Sequence, residues 1–491
     1  MEYDSLYDST NPKSIEAYAQ RLIGHTFLEV LEWSSPSIIH EAAVSYGNSS
    51  RKGGLGNLLE EKYFGYKANS NSEADFIEAG VELKATPYEK NKNGSLRAGE
   101  RLVLTMINYD RPVDEDFYKS HLWKKSQFIL LIYYWRNKLL QSNLYYTIDY
   151  IKLFSPPKSD LAIILNDYTI IIGKIKAGKA HELSESDTMY LGACTKGATA
   201  IKSTVPQFYS PQIPARKRAF CYKVSYMSYV LNSYIVPNKE TYEPIVKNPE
   251  ELEKTTFINY VTGLINQYAG KSDKELCALF SREYNNNKSQ WIELAYRMLG
   301  IKSNRAEEFV KANISVKAIR LEENGTMIES SSLPTIEFKK LVNEDWEDSS
   351  LYSYFEETKF LFVVYKRKGS NYKLKGCLMW NMPYHDLNVV VRSGWEQVRQ
   401  IVRNGIVFTK KPVKNGVEVK NNLPPKSANP IIHVRPHTAK RFYQFENGEI
   451  LGNGSYSNAD ELPDGRWMTK QSFWINNSYI LEQLPSHLKT D

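Results

Sequence analysis

Within Glu73–Thr86, EADFIEAGVELKAT, the acids Asp75 and Glu82 stand seven positions apart, and Lys84 follows two positions later. Side chains on a strand alternate faces. A strand over Val81–Ala85 therefore puts Glu82 and Lys84 on one face and turns Val81 and Leu83 toward a core, while Gly80 permits the tight turn that returns Asp75 to Glu82. Two carboxylates converging with an amine suit Mg²⁺-assisted attack of water on a phosphodiester. Hard oxygen ligands hold such an ion, which keeps waters and takes further ligands from the substrate phosphate; it polarises the phosphoryl group and acidifies a water. Lys84 would orient that water or neutralise charge developing at phosphorus. Glu60 ends the run KGGLGNLLE, where Leu55, Leu58 and Leu59 have helical spacing, so a neighbouring helix offers a further polar group. The D-x6-E-x-K pattern is short, and Glu and Lys at i and i+2 of a strand also describe a solvated face.

The elements that must position these residues belong to a chain of 491 residues, too long for one core, so two domains are expected. Hydrophobic residues at 42% and charged residues at 24% are ordinary for a globular protein. A net charge of +7 favours a polyanionic partner. Cys194, Cys221, Cys277 and Cys377 are widely spread and form no CxxC pair, which excludes a zinc knuckle and a disulfide framework. His433 and His437 lack a third ligand. The start is acidic with no apolar leader, and no run approaches a membrane span, so a cytoplasmic location and no membrane partner are expected. Ser14–Trp33 reads as one helix. Strands are expected at Arg101–Asn108, Phe128–Tyr134, Leu161–Leu165 and Ile170–Ile175, which makes the class mixed α/β. After a polar loop at Ser203–Pro214, Arg216, Lys217, Arg218 and Lys223 interleave with Phe220, Tyr222 and Tyr226, a mixture suited to phosphate contacts beside a DNA groove.

The segments Lys52–Glu60, Asp75–Pro87, Ser120–Ile132 and GACTKGATA at Gly192–Ala200 resemble the MutH endonucleases, and most closely the Sau-type restriction endonucleases that cut GATC. IIHVRPHT and WMTKQSFWINNSYI resemble the Sau type as well. The resemblance implies a PD-(D/E)xK nuclease fold, Mg²⁺ dependence and cleavage of double-stranded DNA at GATC that leaves 5′-phosphates. It puts the metal-binding acids on Asp75 and Glu82, the lysine on Lys84, the helix-borne glutamate on Glu60 and a further active-site lysine on Lys125. Two departures concern DNA contacts. The site-reading arginine of MutH falls on Cys194, although Lys196 is kept, and a tyrosine near the DNA falls on Cys221.

A linker with three prolines, Val236–Glu251, separates residues 1–235 from residues 252–491. The second part repeats the first. EADFIEAGVELKA lies over AEEFVKANISVKA at a constant offset of 233, and SQFILLIYY lies over TKFLFVVYK. In the second copy Ser315 replaces Glu82, Glu308 replaces Asp75, Ala295 replaces Glu60 and Glu357 replaces Lys125, leaving Lys317. The expectation is two tandem MutH-like folds, the first cutting and the second binding DNA as a recognition or effector module. Arg435 stands where the first copy has Cys194 and can make the bidentate guanine contact that cysteine cannot; Lys470 matches Lys223. A MutH-like repair nicking enzyme and a non-enzymatic DNA-binding protein on a decayed nuclease fold are the alternatives. A free monomer that dimerises or loops DNA on binding is expected.

Overall fold

The structure, a computed structural model, describes residues 6–34, 46, 53–67, 73–91, 94–114, 116–196, 203–236, 242–285, 287–414 and 416–490. It divides into two compact units, Met1–Tyr260 with Asn304–Asn313, and Val261–Ser303 with Ile314–Asp491. The division differs from the expected cut at residues 236–251 for a physical reason. Ile245 and Val246 are buried, and their N–H groups donate to the Glu308 carboxylate at 2.9 Å each. The helix Glu307–Ala312 is part of the first unit, where Lys311, 1% exposed, donates to Asp160 at 2.5 Å and Glu307 at 2.6 Å. Asp160 is itself buried, and a buried carboxylate needs such a cation.

In the first unit the expected helix Ser14–Trp33 is two helices, α1 (Pro12–Ala19) and α2 (Phe27–Ser34). Gly24 at φ +87° turns the chain between them, and the Glu29 carboxylate caps the second by accepting from the Thr26 N–H at 2.6 Å. α3 (Gly54–Leu58) runs into a π-helical turn at Leu59–Tyr63. One sheet has strand order β2–β1–β4–β5, with β1 Glu82–Lys90, β2 Leu96–Ala98, β4 Ile129–Trp135 and β5 Ile148–Phe154. β1 and β4 are parallel with Glu82 opposite Ile129, and β5 is antiparallel to β4. Ile129–Tyr133 is fully buried because its strand has neighbours on both edges and cover on both faces, which explains the unbroken apolar run. Val81, Leu83, Leu130 and Ile132 join the core under α1 to α3, each contributing about 1.5 to 3 kcal/mol by burial.

A second sheet of this unit has order β3–β7–β6, with β3 Leu102–Met106, β6 Leu191–Thr195 and β7 Arg218–Tyr222. α4 (His121–Ser126) leads into β4 and is capped by Ser120, whose Oγ accepts from the Trp123 N–H. The strands expected at Leu161–Leu165 and Ile170–Ile175 are not formed; one helix, α5 (Lys158–Lys176), spans both. Its buried residues Ile164, Asp167, Tyr168, Ile171, Ile172 and Ile175 recur every three or four positions, the helical period.

The second unit contains a sheet of order β8–β10–β11 (Ile314–Leu321, Lys359–Lys368, Asn371–Trp380), again parallel then antiparallel. A further sheet orders β9–β13–β12 (Ser331–Thr335, Gln471–Ile475, Ile432–Pro436). The parallel ladder sets Phe360 opposite Ser315. Laying SQFILLIYY over TKFLFVVYK would set Leu361 there, so the two ladders differ by one residue from that alignment. Among the described residues no helix is long and apolar enough to cross a membrane, and the four cysteines are free thiols.

Candidate active site

β1 begins at Glu82, and the turn before it is closed by reciprocal backbone bonds between Phe76 and Val81, with Gly80 at φ +63°. The turn brings Asp75 back over the strand, where its Oδ2 accepts from the Leu83 N–H at 2.8 Å. Lys84 and Glu82 share a face, and the Lys84 Nζ donates to Glu82 Oε1 at 2.7 Å. From the last turn of α4, Lys125 reaches the same oxygen at 3.3 Å. Glu82 is only 2% exposed, Lys125 12% and Lys84 25%, so the acid lies at the bottom of the group and the amines at its mouth.

Glu82 Oε2 is buried without a hydrogen-bond partner. Burial, then the charge of Glu82, pushes the Asp75 carboxyl up to about 6, against the pull of the Leu83 N–H and of Lys84. Burial, then Asp75, pushes Glu60 up to about 7. Carboxyls that repel one another around an orphaned anionic oxygen are what a divalent cation relieves. Asp75 and Glu82 fit that role. Among the described residues no three His, Cys, Asp or Glu side chains form a ready ligand cluster, so other ligands must come from solvent, backbone or substrate, as suits Mg²⁺.

Tyr66 escaped the sequence reading. Its N–H donates to the Glu60 carbonyl at the π-helical turn, and its ring meets Phe76 with centroids 5.2 Å apart. The hydroxyl is buried and unpartnered, and burial, then the charges of Asp75, Glu60 and Glu82, holds its pKa far above the usual phenol value. A π-helical turn beside the acids was the available signal only in structure, since such turns concentrate at functional sites.

The expected DNA-contact residues divide. Arg435 is exposed, its guanidinium 3.6 Å from the Trp474 ring centroid. Lys196 is half-buried at the end of β6, with its N–H on the Lys217 carbonyl. Lys470 donates to the Ser457 carbonyl at 2.8 Å. Arg218 and Lys223 do not face a groove and are corrected here. Arg218 is 1% exposed and donates to the Ala193 carbonyl at 2.6 Å; Lys223 is 3% exposed, donates to the Thr188 carbonyl at 2.5 Å, and has its pKa lowered by burial against the pull of Asp167. The physical reason is that β7, which begins at Arg218 and ends one residue before Lys223, is the middle strand of its sheet and buried along its whole length. Lys217, one residue before it, is the exposed cation of this run.

Residues 64–167, which include Tyr66, Asp75, Glu82, Lys84 and Lys125, match the family described as DNA mismatch repair enzyme MutH. The chain is also 37% identical over 458 residues to the type II restriction enzyme Sau3AI of Staphylococcus aureus, spanning 86% of this chain and 91% of that enzyme. A match of that depth across both units, joined to converging acids and lysines on a MutH-type strand, shows that the chain belongs to the Sau3AI family of type II restriction endonucleases.

Proposed function

We propose that the first unit hydrolyses both strands of duplex DNA at GATC with Mg²⁺ and leaves 5′-phosphates, and that the second unit binds DNA without cutting. The observation that carries this reading is the orphaned Glu82 Oε2 among Asp75, Lys84 and Lys125. Asp75 and Glu82 would hold the cation, which supplies Lewis-acid polarisation of the scissile phosphate and a more acidic water. Leu83 fixes the Asp75 carboxylate through its N–H. Lys125 holds Glu82 in place from α4. Lys84, at the mouth, orients the attacking water and offsets charge on the phosphoryl oxygens. The water oxygen bonds to phosphorus as the P–O3′ bond breaks, the water gives up a proton to solvent, and the 3′ oxygen takes up one from solvent, leaving a 5′-phosphate and a 3′-hydroxyl. The Tyr66 hydroxyl is positioned to donate to a water or phosphate oxygen among the acids.

The shared sheet topologies of the two units support an internal duplication with a non-cutting second copy. At the positions aligned with Glu82 and Asp75, Ser315 carries no carboxylate, and Glu308, which belongs to the first unit, is occupied by the Ile245 and Val246 N–H groups. The relative's match across both units favours the restriction reading over a single-copy nicking enzyme. Supercoiled plasmid bearing GATC sites, incubated with Mg²⁺ or with chelator, tests the whole reading. Linear fragments with 5′-phosphate ends only in Mg²⁺ are expected; nicked circles alone, or no change, would overturn it.

A further inference from the structure

The second unit carries a hairpin, Phe408–Val413 with Gly416–Asn421, whose strands, among the described residues, pair only with each other. Its base is fixed. The Phe408 ring lies 5.4 Å from Tyr443 and 5.6 Å from Phe445 between centroids. The Arg466 guanidinium sits 4.9 Å over the Phe408 ring and donates to the Ile406 carbonyl at 2.6 Å, and Lys410 pairs with Glu449 at 2.5 Å. Past that rung the packing stops. Lys411, Pro412, Val413, Lys414, Gly416, Val417 and Glu418 are all exposed, with Val413 at 45% and Val417 at 51%.

Pro412 and Val417 face each other across the ladder. Among the described residues no carboxylate forms an ion pair with Lys411, Lys414 or Lys420, and Glu418 is the one acid on the two strands. Lysines on an exposed ribbon also protect it from pairing with other chains. Lys414 at the turn and Pro412 on the strand fit that protection, but Val413 and Val417 stay exposed beside Pro412 between the lysines, which protection does not call for. Three rungs beyond Lys410 reach about 10 Å at ~3.3 Å per residue, more than the ~7.5 Å depth of a minor groove.

We propose that this hairpin is an arm that enters the minor groove of DNA flanking the bound site, with Lys411, Lys414 and Lys420 on phosphates and Pro412 and Val417 wedged against the bases. The assignment rests on the reading that this chain holds duplex DNA. Apolar wedges flanked by cations open base steps and bend the duplex, and each phosphate neutralised adds about 0.9 to the slope of log affinity against log salt.

Three proteins are compared on an end-labelled duplex of about 40 base pairs with one central GATC, in Ca²⁺ to hold off cleavage: the full chain, its Lys411→Gln/Lys414→Gln/Lys420→Gln variant and its Pro412→Gly/Val417→Gly variant. Affinity across salt, end-to-end energy transfer and protection of adenine N3 from methylation are read together. The lysine variant is expected to lower the salt slope by about 2 to 3 and bind about tenfold more weakly at physiological salt. The wedge variant is expected to keep most of the slope while losing the bend and the flanking adenine protection. Unchanged slope, bend and protection in both variants would overturn the arm, as would flanking protection at guanine N7, which places the ribbon in the major groove. Failure of the unaltered chain to bind the duplex would instead overturn the DNA-binding reading on which the arm depends.

Discussion

With one oxygen bonded to two lysines, Glu82 keeps a second, buried oxygen that no protein group satisfies. Leaving a charged acceptor in that state costs several kcal/mol unless a cation completes it. The carboxyls around it give the sign of a pH effect. Asp75 and Glu60 have ordinary values of 3.8 and 4.5 but titrate near 6 and 7 in the fold. The folded, metal-free protein therefore holds protons that the unfolded chain has shed, and the stability drawn from these groups falls as pH rises from about 4 to 7. A divalent cation must displace the same protons. Calorimetric titration should show Mg²⁺ or Ca²⁺ affinity rising through pH 6 to 7 with proton release, and both effects weakened in Glu82→Gln; flat affinity would remove Asp75 and Glu60 from the cation's surroundings. Tyr66→Phe separates role from packing. Deleting an orphaned hydroxyl should leave the melting temperature unchanged or slightly raised, while single-turnover cleavage slows about tenfold, the worth of one hydrogen bond of ~1.4 kcal/mol. The acid and lysine spacing made this group legible in sequence, because strand period and one glycine turn suffice to converge it. Tyr66 was not legible, since its place depends on a π-helical turn that no local pattern announces.

Among the elements, α5 shows where local reading fails. Leu161–Leu165 and Ile170–Ile175 are apolar runs containing several isoleucines and suggest strands, yet they lie on one helix whose buried face includes Asp167. That carboxylate accepts from the N–H groups of Met189, Tyr190 and Leu191 at 2.8, 2.7 and 3.0 Å, and so ties the helix to the start of β6. Burial of that one helical face outweighs the strand preference of isoleucine. Asp167→Ala strands three buried donors and should cost about 3 to 5 kcal/mol of stability by denaturant titration; Asp167→Asn, which keeps one acceptor oxygen, should recover part of it. A loss within 0.5 kcal/mol for the alanine variant would mean that water replaces the carboxylate. The inward turn of Arg218 and Lys223 was likewise hidden, because a basic run reads as surface until the sheet order shows which strand is central. Strand period does not pick out Lys217 either, since Ala215 and Ala219, two residues to each side of it, are both buried.

At the scale of the whole molecule, a palindromic duplex has two scissile phosphates, and if the second unit does not cut, as proposed, the chain brings one set of acids and lysines to them. Each double-strand cut then needs two chains, or one chain that nicks and turns round. If the second unit binds DNA, as proposed, the former is favoured, since binding a second copy of the site raises the effective concentration of cutting units, provided the bound arrangement is the active one. Plasmids with two sites should be cut faster than plasmids with one, and a short uncleavable duplex should partly restore one-site cutting; equal rates insensitive to that duplex would make the second unit a clamp only. The proposed duplication rests on a constant offset in the sequence, whereas the assignment of Glu307–Ala312 to the first unit was not legible there, because it follows from the buried Lys311–Asp160 pair, far apart in sequence. The most direct measurement compares plasmid cleavage and duplex affinity for the unaltered chain, Asp75→Ala and Glu82→Ala in Mg²⁺. Both variants are expected to lose cleavage by a factor of about 10³ or more while their affinity for the duplex in the absence of metal stays within about threefold. Cleavage near the unaltered rate in either variant would contradict that expectation.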